Sequence, residues 1–159
     1  MNNEYTIYTD GSSRGNPGPG GWAAIIIEKV KSKTENEERG VREIGGREDQ
    51  TTNNRMELRA AIEGLKAVPE GSNVTLIADS EYVVKGMTLW IKGWQAKNWR
   101  TAAKKPVLNQ DLWQELLKAA EGKNIEWKTV LGHSGIEHNE RADQIATNFA
   151  DGKPLIAMG

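Results

Sequence analysis

The sequence predicts an α/β protein in which an antiparallel meander of three strands joins parallel strands through crossover helices. Three β-prone segments come first along the chain, and helical and strand patterns alternate after them. A chain of 159 residues with 37% hydrophobic and 27% charged side chains can form one domain with a buried core. We therefore expect a single folded domain over residues 1–151 and a short C-terminal tail over 152–159.

The meander occupies the first third of the chain. Residues 4–10 alternate with a period of two, 22–30 form a largely apolar strand, and 41–48 form the return strand. The Gly- and Pro-rich segment 11–21 predicts a turn between the first two strands. The polar segment 31–40 predicts the tip of a long hairpin, to which we assign no function.

Helices and strands alternate in the rest of the chain. Leucine and isoleucine at helical spacing predict a helix over 54–67, which ends before Pro69. Segment 90–108 is aromatic and basic, is closed by Pro106 and has no clear periodicity. The remaining predicted elements are strands over 73–79 and 124–130, a helix beginning at Ser80, and helices over 110–121 and 137–150.

Composition excludes several classes of protein. No apolar run reaches the roughly 18 residues that a membrane span needs, and the first residues lack the basic and apolar leader of an exported protein. The absence of cysteine excludes disulfides, thiolate metal sites and cysteine nucleophiles, and is compatible with a cytoplasmic protein. A net charge of −1, from 21 basic and 22 acidic side chains, argues at first against a polyanionic partner.

Four acidic residues occupy positions that bear on function. Asp10 and Asp79 each end an apolar strand, and strand carboxyl ends border the usual ligand crevice of an α/β sheet. Glu57 and Asp143 each share a helix face with small residues suited to close packing, where an unpaired charge is costly. Ordinary interpretations exist for each: a turn or N-cap aspartate, a capping-box partner of Asn54 for Glu57, and a solvated helix acid for Asp143.

The four carboxylates form a candidate metal site if they converge. Their mutual repulsion would then raise their pKa values and destabilise the fold unless cations neutralise them. An all-oxygen set without cysteine suits Mg²⁺ or Mn²⁺ rather than Zn²⁺. Two such ions about 4 Å apart can activate a water molecule and stabilise a leaving oxygen in phosphodiester hydrolysis. The sequence alone does not establish that the four side chains meet.

Four motifs follow one another along the chain: TDGSSRGNPGPGGW at 9–22, TTNNRMEL at 51–58, ADSEYV at 78–83 and GHSGIEHNERAD at 132–143. In this order they resemble the type 1 ribonucleases H, and the bacterial form most of all. The resemblance extends over about residues 5–150 and includes WIKGW and KKPVLNQDLW between the last two motifs. It implies a ribonuclease H-like mixed five-stranded sheet flanked by helices. It also implies an endonuclease that cleaves the RNA strand of an RNA–DNA hybrid and leaves 3′-hydroxyl and 5′-phosphate ends.

The resemblance implies catalytic roles for four carboxylates and one histidine. The family's metal-binding carboxylates match Asp10, Glu57, Asp79 and Asp143, which would hold two Mg²⁺ ions in the substrate complex, with Mn²⁺ as an alternative. His133 matches the histidine of the family's catalytic loop, where an imidazole titrating near pH 7 can move protons or assist product release. We therefore expect an active, monomeric, cytoplasmic enzyme that acts on a hybrid duplex.

The resemblance also implies a set of substrate-binding residues. Distinguishing RNA from DNA requires contacts with 2′-hydroxyls in the wide minor groove of an A-like duplex. Thr52 and Asn109 match a pocket for a phosphate of the DNA strand, although Asn109 could equally cap helix 110–121. Gln50 stands where relatives often carry an arginine, so we expect a weaker pocket. The residues implied to line the groove are Ser13, Asn16, Asn53, Asn54, Glu57 and Glu81.

Segment 82–110 resembles the family's basic protrusion, which holds the DNA strand. It contains no acidic residue, six basic residues and three of the six tryptophans. The segment carries +6 and the rest of the chain −7, so the near-neutral total conceals a basic surface and an acidic site. Packing into the core and shaping a DNA channel are equal alternatives for Trp90 and Trp94. The residues implied to contact the DNA strand are Trp90, Trp94, Lys97, Trp99, Arg100, Lys104 and Lys105.

Other classes of protein account for parts of the pattern. A hybrid-binding module that has lost catalysis would lack at least one metal carboxylate, whereas all four are present. Another nuclease of the same broad fold, such as a transposase or a junction resolvase, would not need TTNNRMEL or the Trp/Lys segment. An α/β domain with solvated acids leaves Glu57 on its small-residue face unexplained.

Overall fold

A mixed five-stranded sheet forms the centre of the protein. The computed structural model describes residues 4–31, 36–130 and 137–153. The sheet has the order β3-β2-β1-β4-β5, with the first three strands antiparallel and with β4 parallel to both β1 and β5. The predicted fold class is therefore confirmed. The strands are β1 Glu4–Ser13, β2 Gly18–Lys31, β3 Asn36–Thr51, β4 Asn73–Ala78 and β5 Asn124–Thr129.

The helices lie close to their predicted positions. No helix in the described parts of the chain is long and apolar enough to cross a membrane. A π-helical turn, Gly86–Trp90, connects α2 to α3, so the first part of segment 90–108 is helical. The helices are α1 Asn53–Lys66, α2 Glu81–Lys85, α3 Ile91–Ala96, α4 Gln110–Ala120 and α5 Glu137–Ala150.

Strand β2 is apolar on both sides because both faces of the sheet are covered. Ala24 and Ile26 belong to the core cluster that α1 and α4 share with the sheet. Ile25 and Ile27, which alternate with them, belong to a second cluster with α5. Since neighbouring residues of a strand point to opposite faces, α1 and α5 cover opposite sides of the sheet.

The turn between the first two strands is shorter than the predicted range 11–21. The strands β1 and β2 continue through most of this segment, and residues 14–17 alone connect them. Glycine is required in the strands because helices approach them closely: a Cβ on Gly21 would overlap the carbonyl oxygen of Ala146 in α5. The hairpin tip is also shorter than 31–40, since β2 runs to Lys31 and β3 begins at Asn36. Residues 32–35 lie outside the described residues.

Candidate active site

Asp10 lies inside β1 and does not begin a turn, in contrast to the sequence prediction. It pairs with Ala23 of β2, and the antiparallel ladder continues to Ser13. The parallel ladder with β4, however, ends one residue before Asp10, at the pair Thr9–Ala78. At Asp10, therefore, β1 still pairs with β2 but no longer with β4, and the residue lies beside the carboxyl end of β4. Its side chain is buried, with the residue 2% exposed.

Glu57 is buried in the second turn of α1, against β1. Thr52 is the N-cap of α1, and its hydroxyl accepts from the backbone N–H of Arg55 at 3.2 Å. Glu57 therefore lies beyond the N3 position of a capping box, and the capping interpretation with Asn54 is wrong. The small-residue face is confirmed: Ala60, Ala61 and Gly64 are all buried with Glu57.

The backbone N–H of Gly11 connects the two buried carboxylates. It donates to Asp10 Oδ1 at 2.9 Å and to Glu57 Oε1 at 3.1 Å. A Cβ on Gly11 would overlap the backbone of Met56 and Glu57. Glycine at position 11 thus allows β1 and α1 to approach until the two acids share one donor.

The carboxylates perturb one another because two of them are buried. Burial, followed by the charge of Glu57, raises the pKa of Asp10 well above its usual range. Burial also raises the pKa of Glu57, while its interaction with the Asp10 carboxyl group and a hydrogen bond from the Gly11 amide oppose that rise. In the absence of a cation, neutral pH therefore does not favour full ionisation of this pair.

Asp79 and Asp143 lie on the solvent side of the buried pair. Asp79 follows β4 and is exposed, and its N–H donates to the carbonyl oxygen of Thr9 at 3.3 Å. Asp143 is an exposed residue of α5, and its carboxylate lies close enough to Asp10 to raise the pKa of that acid. The negative charges of both residues add to the rise in the pKa of Asp10. The structure thus brings together the four carboxylates that the sequence singled out.

The buried pair fits a hard divalent cation. Asp10 Oδ2 and Glu57 Oε2 are both buried and have no hydrogen-bond partner. Carboxylate oxygens of this kind are suitable ligands for Mg²⁺ or Mn²⁺, which would supply the missing positive charge. Within the three described ranges, no group of three or more His, Cys, Asp or Glu side chains already has the arrangement of a metal site. The fit therefore rests on the two orphaned oxygens and on the charges around them.

Two cavities in the structure do not contain the carboxylates. One of about 540 Å³ is lined by the first residues of β1, β4 and β5, at the end of the sheet opposite the carboxylates. Another of about 510 Å³ lies between β3 and α5, next to His138. His138, in the first turn of α5, is half-buried, with its ring centroid 5.4 Å from that of Tyr8. His133 lies outside the described residues.

The β1–β2 turn, residues 14–17, is fastened to the start of α1. Ser13 Oγ donates to the carbonyl oxygen of Gly15 at 2.7 Å, which closes the start of the turn. Asn16 Oδ1 accepts from the backbone N–H of Asn53 at 3.1 Å. Asn54, in the first turn of α1, is half-buried. The predicted groove residues of β1 and α1 are therefore neighbours in space.

Glu81 differs from the other predicted groove residues in its surroundings. It is exposed at the start of α2 and forms an ion pair with Lys85 at 2.8 Å, one helical turn later. This contact lowers the pKa of Glu81. One of the six cations of segment 82–110 is thus already paired with an acid.

Asn109 does not cap α4 with its side chain. It occupies the N-cap position in the left-handed region, with φ 63°, and its amide points towards α1 and α2. Nδ2 donates to the hydroxyl of Tyr82 at 3.1 Å, and Oδ1 accepts from Arg55 Nη1 at 3.3 Å. Arg55 also forms a bidentate ion pair with Asp111, at 3.0 and 2.8 Å.

The sequence interpretation missed Arg55 and Tyr82 at the predicted phosphate pocket. Both lie inside quoted motifs, TTNNRMEL and ADSEYV, so their position in those motifs was the available signal. Arg55 follows the N-cap residue Thr52 by three positions and reaches Asn109. Its guanidinium therefore lies beside the two pocket residues, but it is paired with Asp111, and Gln50 is exposed and carries no charge.

The tryptophans of the basic segment form a cluster of tilted and edge-to-face rings that extends into the core. Trp113, which was not predicted to be buried, is fully buried in α4, and its ring centroid lies 5.3 Å from that of Trp94. Trp94 and Trp99 are half-buried and pack against the core. Trp90 lies at the outer end, 37% exposed and 5.8 Å from Trp94. The two residues therefore differ: Trp94 packs against the core, whereas Trp90 is exposed to solvent.

A compact loop after α3 presents the predicted cations. Arg100 pairs with Pro106 in an isolated bridge, and its Nη1 donates to the carbonyl oxygen of Lys104 at 3.1 Å. The N–H of Thr101 donates to the carbonyl oxygen of Lys105 at 2.7 Å. The cations Lys97, Arg100, Lys104 and Lys105 are all exposed.

Comparison with known proteins gives a consistent result. The RNase H family model matches residues 2–151. The chain is 49% identical to the ribonuclease H of Hydrogenovibrio crunogenus over 152 residues, covering 93% of this chain and 96% of that protein. It is 51% identical to the ribonuclease H of Thermosynechococcus vestitus, covering 94% and 90%. Among solved structures it resembles LC9-RNase H1, described as a type 1 RNase H with the type 2 active-site motif, with a TM-score of 0.84 and 32% identity over 97% of this chain and 75% of that one.

The matched range, residues 2–151, contains the whole described sheet, the helices and the positions of all four carboxylates, and the similarity to both bacterial relatives extends over nearly their full length. The chain belongs to the ribonuclease H family.

Proposed function

We propose that this protein hydrolyses the RNA strand of RNA–DNA hybrids with two divalent metal ions, leaving 3′-hydroxyl and 5′-phosphate ends. The family supports a nuclease that cleaves RNA in such hybrids. The observation that carries the metal-dependent mechanism is the buried pair of Asp10 and Glu57, each with one oxygen that has no partner. We also propose that residues 1–151 act as one catalytic domain in a cytoplasmic monomer.

The four carboxylates would hold the metal ions. Asp10 and Glu57 are the fixed members because the Gly11 amide orients both of them. Asp79 and Asp143 are the solvent-accessible ligands of the proposed site, since both are exposed beside the buried pair. When bound, two Mg²⁺ ions supply activation of the attacking water and stabilisation of the leaving 3′-oxygen. Mn²⁺ prefers the same oxygen ligands and is the alternative ion.

The polar residues beside the carboxylates would discriminate RNA from DNA. Ser13, Asn16 and Asn53 lie together where β1 ends and α1 begins. Hydroxyl and amide groups can donate to and accept from a 2′-hydroxyl, which a DNA strand lacks. Asn54 completes this set, and Glu81 would be a weaker member because Lys85 engages its carboxylate.

The DNA strand would be held at two further places. Thr52 and Asn109 would bind one phosphate. Arg55 lies between them, but Asp111 already pairs with its guanidinium, so the pocket would remain weaker than one with an arginine at position 50. The loop after α3 would contact other phosphates. Trp99 lies in this loop and packs on Trp94, and Trp90 lies on the other side of Trp94. The loop cations proposed for this role are Lys97, Arg100, Lys104 and Lys105. His133 would move a proton or assist product release.

The decisive experiment compares four labelled substrates: an RNA–DNA hybrid, duplex RNA, duplex DNA and single-stranded RNA, each with Mg²⁺ and with EDTA. Only the hybrid with Mg²⁺ is expected to be cleaved, and its products should carry 3′-hydroxyl and 5′-phosphate ends. The variant Asp10→Asn removes one fixed carboxylate and is expected to lose cleavage while it still binds the hybrid. Cleavage of duplex RNA at the rate of the hybrid would overturn the specificity, and full activity of Asp10→Asn or activity in EDTA would overturn the metal mechanism.

A further inference from the structure

An ion pair joins the β1–β2 turn to the end of α5. Arg14 Nε lies 2.6 Å from Asp151 Oδ1, and Nη2 lies 2.8 Å from Oδ2. The two residues are separated by 137 positions along the chain. Two parallel hydrogen bonds between a guanidinium and a carboxylate fix the direction of both groups, which a single contact does not do.

Two further hydrogen bonds, each involving a backbone group, hold the same turn in place. The N–H of Arg14 donates to the carbonyl oxygen of Pro19 at 2.7 Å, across the turn. On its other side, Asn16 accepts from the backbone N–H of Asn53 in α1. The turn is therefore attached to β1 and β2, to the start of α1 and to the end of α5. Each of β1, α1 and α5 carries one of the four carboxylates.

Asp151 is held in place by the way α5 ends. Its N–H donates to the carbonyl oxygen of Thr147 at 3.0 Å, and Gly152 follows in the left-handed conformation with φ 74°. The N–H of Lys153 returns to the carbonyl oxygen of Asn148 at 2.8 Å. An acid at a helix C-terminus is unfavourable beside the negative end of the helix dipole. The pairing with Arg14 offsets this and gives the carboxylate a defined partner.

We infer that Arg14 and Asp151 are positioning residues for substrate binding: their ion pair holds the β1–β2 turn so that Ser13 and Asn16 face the RNA strand. This inference rests on the proposed function and adds to it two residues outside the predicted groove set. The route through Asp151 is favoured because the carboxylate engages Nε and Nη2, two of the three guanidinium nitrogens of Arg14.

The pair should affect binding of the hybrid more than folding. Both side chains are partly exposed, 50% for Arg14 and 31% for Asp151, and exposed ion pairs contribute little to global stability. Loss of the pair should therefore move the thermal unfolding midpoint by no more than about 3 °C. Small displacements of groups that contact a substrate have larger consequences for binding and orientation. We expect KM for the hybrid to rise about 3- to 10-fold, with kcat within about twofold of the wild type.

The experiment measures kcat and KM on one defined hybrid for Arg14→Ala, Asp151→Ala, the double alanine variant and the exchanged pair Arg14→Asp/Asp151→Arg. Each single variant should raise KM by the same factor, and the double variant should be no worse than either. The exchanged pair should recover part of the loss. Arg59→Ala is the matched control, since it removes another bidentate ion pair, with Glu115, from a place without a proposed substrate role.

A second readout separates positioning from a purely structural effect. Hybrids with a single 2′-deoxy substitution at successive positions locate the 2′-hydroxyls that the wild type recognises. In Arg14→Ala and Asp151→Ala the penalty for removing a recognised 2′-hydroxyl should shrink, while Arg59→Ala should retain the wild-type profile. Unchanged KM and profile in both variants would overturn the inference. So would a raised KM in Arg14→Ala alone, which would indicate direct contact with the RNA. Failure of the wild type to cleave the hybrid would instead overturn the proposed function.

Discussion

Replacing Asp10 by asparagine should stabilise the metal-free protein while it abolishes activity. The substitution keeps the size of the side chain and the acceptor for the Gly11 amide. It removes a carboxyl group whose pKa burial and the neighbouring Glu57 raise from 3.8 to about 10. The site would then fold without the cost of keeping this acid away from water, and a neutral amide could donate to Glu57 in its place.

The magnitude follows from the proton that the folded state must take up. An unfolded Asp10 with a pKa of 3.8 is ionised at pH 7, whereas the folded pKa lies above 7. Protonating the group at pH 7 costs about 1.4 kcal/mol for each of roughly three pH units, or about 4 kcal/mol. The amide is itself buried with imperfect partners, which costs part of this gain. We expect a net stabilisation of roughly 2–4 kcal/mol at pH 7.

The sign of the pH dependence provides the test. An acid with a raised folded pKa lowers the free energy of unfolding as the pH rises above its unfolded pKa, and it has no such effect below that pKa. Urea unfolding of both proteins in EDTA, at several values between pH 3 and pH 8, should therefore show an advantage for the variant that is near zero at pH 3 and grows towards pH 7. Adding Mg²⁺ should stabilise the wild type more than the variant, because bound metal favours the folded state.

Asp79→Asn is the matched control because Asp79 belongs to the same carboxylate set but is exposed. Its effect on the free energy of unfolding should stay within about 0.5 kcal/mol. The reasoning fails if Asp10→Asn is no more stable than the wild type at pH 7, or if its advantage is the same at pH 3.

Three further predictions follow from the contacts described above. Gly11→Ala should abolish cleavage and lower stability, because the added methyl group overlaps the backbone of Met56 and Glu57; activity and thermal unfolding measure both effects. Gly21→Ala should destabilise the protein by at least about 2 kcal/mol in urea unfolding, since it separates β2 from Ala146 in α5, whereas Gly93→Ala, where nothing lies within 4 Å, should not. Replacing the four loop cations by alanine should reduce the slope of log K against log salt by roughly 3–4, so KM should rise most at low salt and the difference from the wild type should shrink as salt increases; an unchanged KM would mean that the loop does not touch DNA. The four residues are Lys97, Arg100, Lys104 and Lys105.

The order and approximate bounds of the strands and helices could be predicted from periodicity. Helix α1 was expected over 54–67 and occupies Asn53–Lys66, and α5 agrees with its expected range. The glycine-rich segment 11–21 shows the limit of that reasoning. Glycine has low strand propensity, so a local interpretation favours a turn. Glycine nevertheless occurs in these strands because α1 lies so close to Gly11, and α5 so close to Gly21, that no side chain fits at either position. This is a tertiary constraint that no local pattern contains.

The polar contacts of the predicted pocket were less accessible to sequence reasoning. Asn109 looked like a helix cap because it precedes a helical pattern. Its amide instead bonds to Tyr82 and Arg55, which are 27 and 54 residues away in the sequence. Which partner a polar side chain takes depends on the packing of α1, α2 and α4 around it. The sequence can therefore predict that Asn109 begins α4, but not which residues its side chain bonds to.

Glu57 was predictable because its sequence position is locally unfavourable for an acid. This difference explains why the carboxylates could be identified from the sequence and the pocket contacts could not. An acid on a face of small residues conflicts with the rule that charges stay in water, and such local conflicts concentrate at functional sites. Asn109 conflicts with nothing in its local sequence, so no signal marks its role. The same distinction applies to charge: the net value of −1 combines the acidic site with the basic segment. Two divalent ions bound at that site would change the total to +3, and a protein of that charge would attract a polyanion that the bare sum argues against.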